Sequence, residues 1–147
     1  MKTPASVLAV DAAVLIAAAL GRNSDALETA AKARYLVVTE RAMAEARRRL
    51  ELGLKRPDLL PLLDRIAAAI TVVPERDIES QIGRAETALK NAAASQNGAT
   101  RDAHVLACAW VTEADIWSFD RDFAGTGVAS WSTANLMRAL AEQAISE

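Results

Sequence analysis

Carboxylates are the residues of this chain whose types and spacing could do chemistry. Asp11 follows the apolar run "VLAV", Glu45 lies in "TERAMAEARRRL", Asp102 opens "DAHVLACAW", and Asp120 and Asp122 fall in "WSFDRDF". With a single cysteine, Cys108, and a single histidine, His104, no Cys/His zinc set can be assembled. Oxygen donors remain, and they select hard Mg2+ or Mn2+. A metal held by carboxylates, with several waters retained, can activate a water against a phosphodiester and stabilise charge on the leaving oxygen. Acids gathered at one place also repel: two carboxylates about 5 Å apart cost about 3 kcal/mol at an effective dielectric near 20, or take up protons instead. A cation would relieve them.

Each acid also has a plainer reading. Asp102 is a good helix N-cap. Glu45 has Arg41 at i−4, Arg48 at i+3 and Arg49 at i+4, which suits an ordinary ion pair on a helix surface. It lies outside the apolar stripe of Ala42, Met43, Ala46 and Leu50, as either a cleft rim or solvent would require. Glu40 shares the same stretch, and the sequence leaves open which glutamate belongs with the aspartates. Asp122 fits a turn. Asp11 could cap a helix, but between "VLAV" and "AAVLIAAAL" its charge would be partly buried and would need a partner. His104 is two positions from Asp102, so the two side chains diverge on a helix, and no serine or cysteine nucleophile accompanies it. Arg41, Arg47, Arg48, Arg49, Lys55 and Arg56 form a basic band that could meet phosphates or simply face water.

The elements that must position these acids alternate. "SVLAVD" is a short, β-branched strand, and "AAVLIAAAL" is a helix closed by Gly21. A second helix over "NSDALETAAKAR" leads into the strand "YLVVT". Thr39 is placed to cap a helix running to about Leu52 and ended by Gly53, and Pro57 and Asp58 open another toward Ala69. "ITVVP" is a third strand, residues 78 to 93 form a helix, and "DAHVLACAW" is a buried helix. "ADIWSF" is a fourth strand, "GVASWS" a short edge strand, and a last helix starts at Thr133. Such alternation implies βαβ units and a largely parallel sheet covered on both faces. Ligands of open parallel sheets bind beyond the carboxyl ends of the strands. Asp11 and Asp120 end strands there, and helices starting near Glu45 and at Asp102 begin at the same rim.

Composition bounds the rest. The 147 residues suit one domain, residues 1–147, and 52% hydrophobic with 24% charged residues excludes a largely disordered chain. A net charge of −2 offers no global attraction to nucleic acid or an anionic membrane. The uninterrupted apolar run Ala12 to Leu20 is far below the roughly 20 residues a bilayer demands, and no secretory signal is visible. A cytoplasmic protein is expected.

Taken together, "VLAVDAAVLIAAAL", "VVTERAMAEARRRL", "DAHVLACAW" and "IWSFDRDFAGTGV" resemble the PIN-domain family, especially the VapC-type ribonuclease toxins. The resemblance places the first acid at Asp11, the glutamate at Glu45, six residues beyond Thr39, and the third acid at Asp102, opening a D-A-x-x-x-A-x-A helix. Asp120, two residues after Ser118, is the fourth, with Asp122 accessory. It implies a three-layer α/β/α sandwich around a mainly parallel sheet of four to five strands. It also implies an endoribonuclease using Mg2+ or Mn2+ on Asp11, Asp102 and Asp120 together with Glu45, with Ser118 orienting an acid or a water at the metal. An RNA substrate, a homodimer and an antitoxin partner follow from the same resemblance. One departure is Ala13, where the family usually has Asn. A decayed, non-catalytic PIN-like scaffold is therefore the alternative. A receiver-like phosphate-handling domain is a third reading, but it lacks a convincingly placed lysine.

Overall fold

The computed structural model describes residues 2–92, 100–120 and 123–146. Its strands are β1 (Val7–Val10), β2 (Tyr35–Thr39), β3 (Thr71–Val73), β4 (Asp115–Trp117) and β5 (Ser130–Trp131). The helices are α1 (Ala12–Ala19), α2 (Ser24–Ala33), α3 (Glu40–Arg48), α4 (Leu60–Ala67), α5 (Glu75–Asn91), α6 (Ala103–Thr112) and α7 (Thr133–Ser146). All strand pairs are parallel, in the order β3-β2-β1-β4-β5. The expected sandwich around a parallel sheet is therefore present, with five strands.

Why the strands read as continuous apolar runs is visible in the packing. Successive residues of a strand point to opposite faces, and here both faces are covered. Leu8, Val10, Leu36, Val38 and Trp117 join one core with residues of α1, α3, α4 and α7. Ala9, Val37 and Ile116 join the other, with Ile78, Ala85 and Leu89 of α5 and nearly all of α6. The helices α1 and α6 are apolar on every side because each is enclosed: seven of the eight α1 residues are buried, as are residues 103–109. Gly21, at φ 85°, ends α1. Its N–H reaches Ala18 O and that of Arg22 reaches Ala17 O, the paired bonds of a left-handed helix stop.

Register fixes the functional rim. Val10 lies beside Trp117 and Thr39 beside Val73. Past β1, the Asp11 N–H donates to Trp117 O at 3.0 Å, and past β4 the Ser118 N–H donates to Trp131 O at 3.1 Å. The strand order reverses between β1 and β4, so the ends of these two strands border the crevice where open sheets bind ligands. Tryptophan ring N–H groups brace this half of the sheet: Trp131 Nε1 donates to Asp115 and Trp117 Nε1 to Thr133.

Two boundaries differ from the sequence reading. The helix expected to reach about Leu52 is α-helical only to Arg48, then widens into a π turn over Arg49–Gly53, in which the Leu54 N–H bonds to Arg49 O. The helix expected from residue 78 starts at Glu75. Pro74 sits at its N-cap, and the Glu40 carboxylate accepts from the Glu75 N–H at 2.5 Å. A cap supplied from another helix leaves no mark in local sequence. Among the described residues, no helix is long and apolar enough to cross a membrane.

Candidate functional site

Beyond the ends of β1 and β4 a cavity of about 370 Å³ is lined by Asp11, Ala13, Glu45, Arg49, Arg101, Asp102 and Asp120. Four carboxylates from four separate stretches thus share one pocket. Asp122 lies outside the described residues.

Asp11 anchors the set. It is 8% exposed, caps α1 by accepting the Ala12 N–H on Oδ1 at 2.7 Å, and accepts the Ser118 hydroxyl on Oδ2 at 2.8 Å. Ser118 Oγ in turn accepts the Asp120 N–H at 2.9 Å, so one buried hydroxyl links the acid after β1 to the turn after β4. Capping and lining the pocket prove compatible in Asp11. Asp102 departs from its plain reading: it stands at the N-cap position of α6, but its side chain makes no capping bond. Its carboxylate is left to the pocket.

Glu45 departs likewise. It forms no ion pair among the described residues, and Arg41 bonds to Glu75 instead. One turn into α3, Glu45 is half-buried on the rim, while Glu40 is engaged at the start of α5. The choice between the two glutamates, open in the sequence, falls geometrically to Glu45.

The start of α3 is set by Thr39, whose Oγ1 accepts the Ala42 N–H at 2.9 Å. That oxygen also lies 2.7 Å from His104 Nδ1. A hydroxyl that accepts one backbone N–H keeps both its proton and a second lone pair, so Thr39 and His104 are bonded with the ring in either neutral tautomer. Burial, and then the charge of Arg41, push His104 down to about 4, which keeps the ring neutral near pH 7. His104 does not line the pocket. It ties the helix bearing Glu45 to the helix bearing Asp102.

Electrostatics make the pocket receptive to a cation. Burial raises the Asp11 carboxyl above its ordinary range, against the hydrogen bonds from Ser118 and Ala12, with Glu45 and Asp120 adding to the rise. Asp102 is pushed up to about 6, first by burial, then by the charges of Asp11 and Asp120, with Arg101 opposing. An all-oxygen donor set whose members hinder each other's ionisation fits a hard divalent cation. Among the described residues no three acid, histidine or cysteine groups converge closely enough to hold an ion unaided. An ion here would keep several waters and take only one or two carboxylates directly, which is the habit of Mg2+.

Sequence reasoning missed Arg101 and left Arg49 within the general basic band. Position alone could have marked Arg101, since it directly precedes an acid that opens a helix at the rim.

No curated protein matches the chain. A structure of PAE2754 from Pyrobaculum aerophilum is similar over 92% of this chain and 90% of its own, with 21% sequence identity and a TM-score of 0.65. At that identity the likeness concerns the fold. The family model of the PIN domain matches residues 9–141, nearly the full chain, a span within which the four pocket acids fall. The chain belongs to the PIN-domain family.

Proposed function

We propose that this protein is an endoribonuclease that hydrolyses RNA phosphodiester bonds with Mg2+ or Mn2+, a VapC-like toxin that acts as a homodimer and is restrained by an antitoxin. The observation that carries the nuclease reading is the convergence of Asp11, Glu45, Asp102 and Asp120 on one pocket at the strand-order reversal. PIN domains are generally nucleases that use divalent metal ions, which fits the donor set. The toxin, dimer and antitoxin features rest on the sequence resemblance alone.

In this reading Asp11, Asp102 and Asp120 hold the ion, directly or through water, and Glu45 completes the ring of charge. The ion, when bound, activates a water and stabilises charge on the leaving oxygen. The chain's own residues fix the geometry. Ser118 holds the Asp11 carboxylate by one oxygen and the backbone of Asp120 by its N–H, so the two acids keep their separation. Orienting partners of this kind typically contribute tenfold to a hundredfold in affinity or activity.

Incubation of single-stranded RNA with the protein, with and without EDTA, tests the proposal. Cleavage that EDTA abolishes, and that falls about a hundredfold or more in Asp11→Asn, is expected. EDTA-insensitive cleavage, or equal rates in the variant, contradicts it. Ala13 on the pocket wall favours one second reading, a PIN-fold scaffold with a weakened site, because no polar side chain projects from that position. Metal binding without any cleavage would select it.

A further inference from the structure

The arginines near the carboxylates divide into two groups. Three are committed within the protein: Arg41 pairs with Glu75, Arg47 with Asp64 and Arg56 with Asp58. Arg49 and Arg101 are exposed, and neither has a carboxylate within ion-pair distance among the described residues, although both line the pocket with four carboxylates. They arrive from separate elements. Arg49 sits one helical turn beyond Glu45, at i+4 on the same face, where α3 passes into its π turn. Arg101 immediately precedes Asp102 and lines the same pocket. Irregular π turns recur at functional positions.

Charge shows what such a pair is for. Counted as formal charges over the described lining residues, four carboxylates and two guanidinium groups sum to −2. One divalent cation brings that to neutrality. Without the arginines, the same pocket holding one cation would remain doubly negative and repel a phosphodiester. With them, it is neutral and has two planar donor forks at its rim, the geometry that binds phosphate bidentately.

We propose that Arg49 and Arg101 form a two-point phosphate subsite that receives backbone phosphates of single-stranded RNA neighbouring the one held over the carboxylates. The subsite rests on the nuclease reading for its choice of ligand. It reads no bases, so single-stranded DNA of the same sequence binds comparably.

Fluorescence anisotropy with a short labelled single-stranded RNA tests it, in Ca2+ rather than Mg2+ and with the strand checked for integrity after each titration. Arg49→Gln and Arg101→Gln should each weaken binding about tenfold and lower the slope of log affinity against log salt by roughly 0.7, the value per phosphate contact on single strands. Arg49→Lys should retain most of the slope, which separates lost charge from lost fold. Arg47→Gln, on the same helix but paired with Asp64, should change neither quantity. Affinities and slopes in Arg49→Gln and Arg101→Gln equal to wild type overturn the subsite, as does wild-type protein that binds no RNA. The nuclease reading fails separately. Arginine-dependent binding without EDTA-sensitive cleavage removes that reading and keeps the subsite, whereas cleavage with arginine-independent binding does the reverse.

Discussion

Asp11 is asked to do two opposed things, and the opposition can be measured. A carboxylate 8% exposed and repelled by two others is costly to the protein without metal, whereas Asn in its place retains an oxygen for the Ala12 N–H and turns a donor NH2 to the Ser118 Oγ, which has a lone pair to accept it. Asp11→Asn should therefore raise the thermal midpoint of metal-free protein by roughly 2–4 °C, about 1 kcal/mol for a chain of this length, in calorimetric melts. A lower midpoint would mean the carboxylate stabilises the fold. Asp102 gives a pH prediction. Its carboxyl is raised from 3.8 to about 6, so between those values the folded state binds more protons than the unfolded state, and this group's contribution to stability falls as pH rises through the window. His104 acts in the other direction: lowered from 6.5 to about 4, it must take up a proton on unfolding, so its contribution is lost as pH falls. The two oppose each other in wild type. In Asp102→Asn the raised Asp11 carboxyl still opposes the histidine but the Asp102 contribution is gone, and metal-free melts should show stability falling more steeply from about pH 7 to about pH 4.5 than in wild type. Parallel profiles would contradict the assignment of the raised carboxyl.

At the scale of elements, the contact between α3 and α6 holds two pocket acids in relation. Replacing His104 with Leu leaves the Thr39 hydroxyl without its buried hydrogen-bond partner, at a cost of about 1–3 kcal/mol. His104→Asn presents an amide near the former Nδ1 that can donate or accept, and should recover most of the loss. Chemical denaturation reads the stability, and Mn2+ titration reads whether Glu45 and Asp102 have lost their relation. Equal stability in His104→Leu and wild type would show that the bond carries nothing. Much of this layer was legible in the sequence. Alternating strands and helices gave the parallel sheet, Gly21 the end of α1, and Thr39 the start of α3, because each depends on residues within a few positions of one another. The bond from Thr39 to His104, the Glu40 cap on α5 and the sorting of the arginines were not legible. They join residues 65 and 35 positions apart and, for Arg47 with Asp64 and Arg41 with Glu75, 17 and 34, where packing decides and local pattern is silent. The π turn after Arg48 also escaped, since its residues continue an ordinary helical pattern.

The whole molecule carries a net charge of only −2, yet concentrates four carboxylates beside two arginines at the one place where its strand order reverses. Its helices cover both faces of the sheet and leave the carboxyl ends of β1 and β4 open, so the fold supplies a crevice and the acids supply its chemistry. If a divalent ion belongs there, it binds the folded state alone and should stabilise the whole chain, by about 2.7 kcal/mol at one hundred times its dissociation constant. Isothermal titration of Mn2+ into wild type and Asp11→Asn tests the central claim most directly. Saturable binding to wild type, weakened at least about tenfold in Asp11→Asn, is the predicted result. Equal affinities in the two proteins, or no binding to wild type, would contradict the metal site.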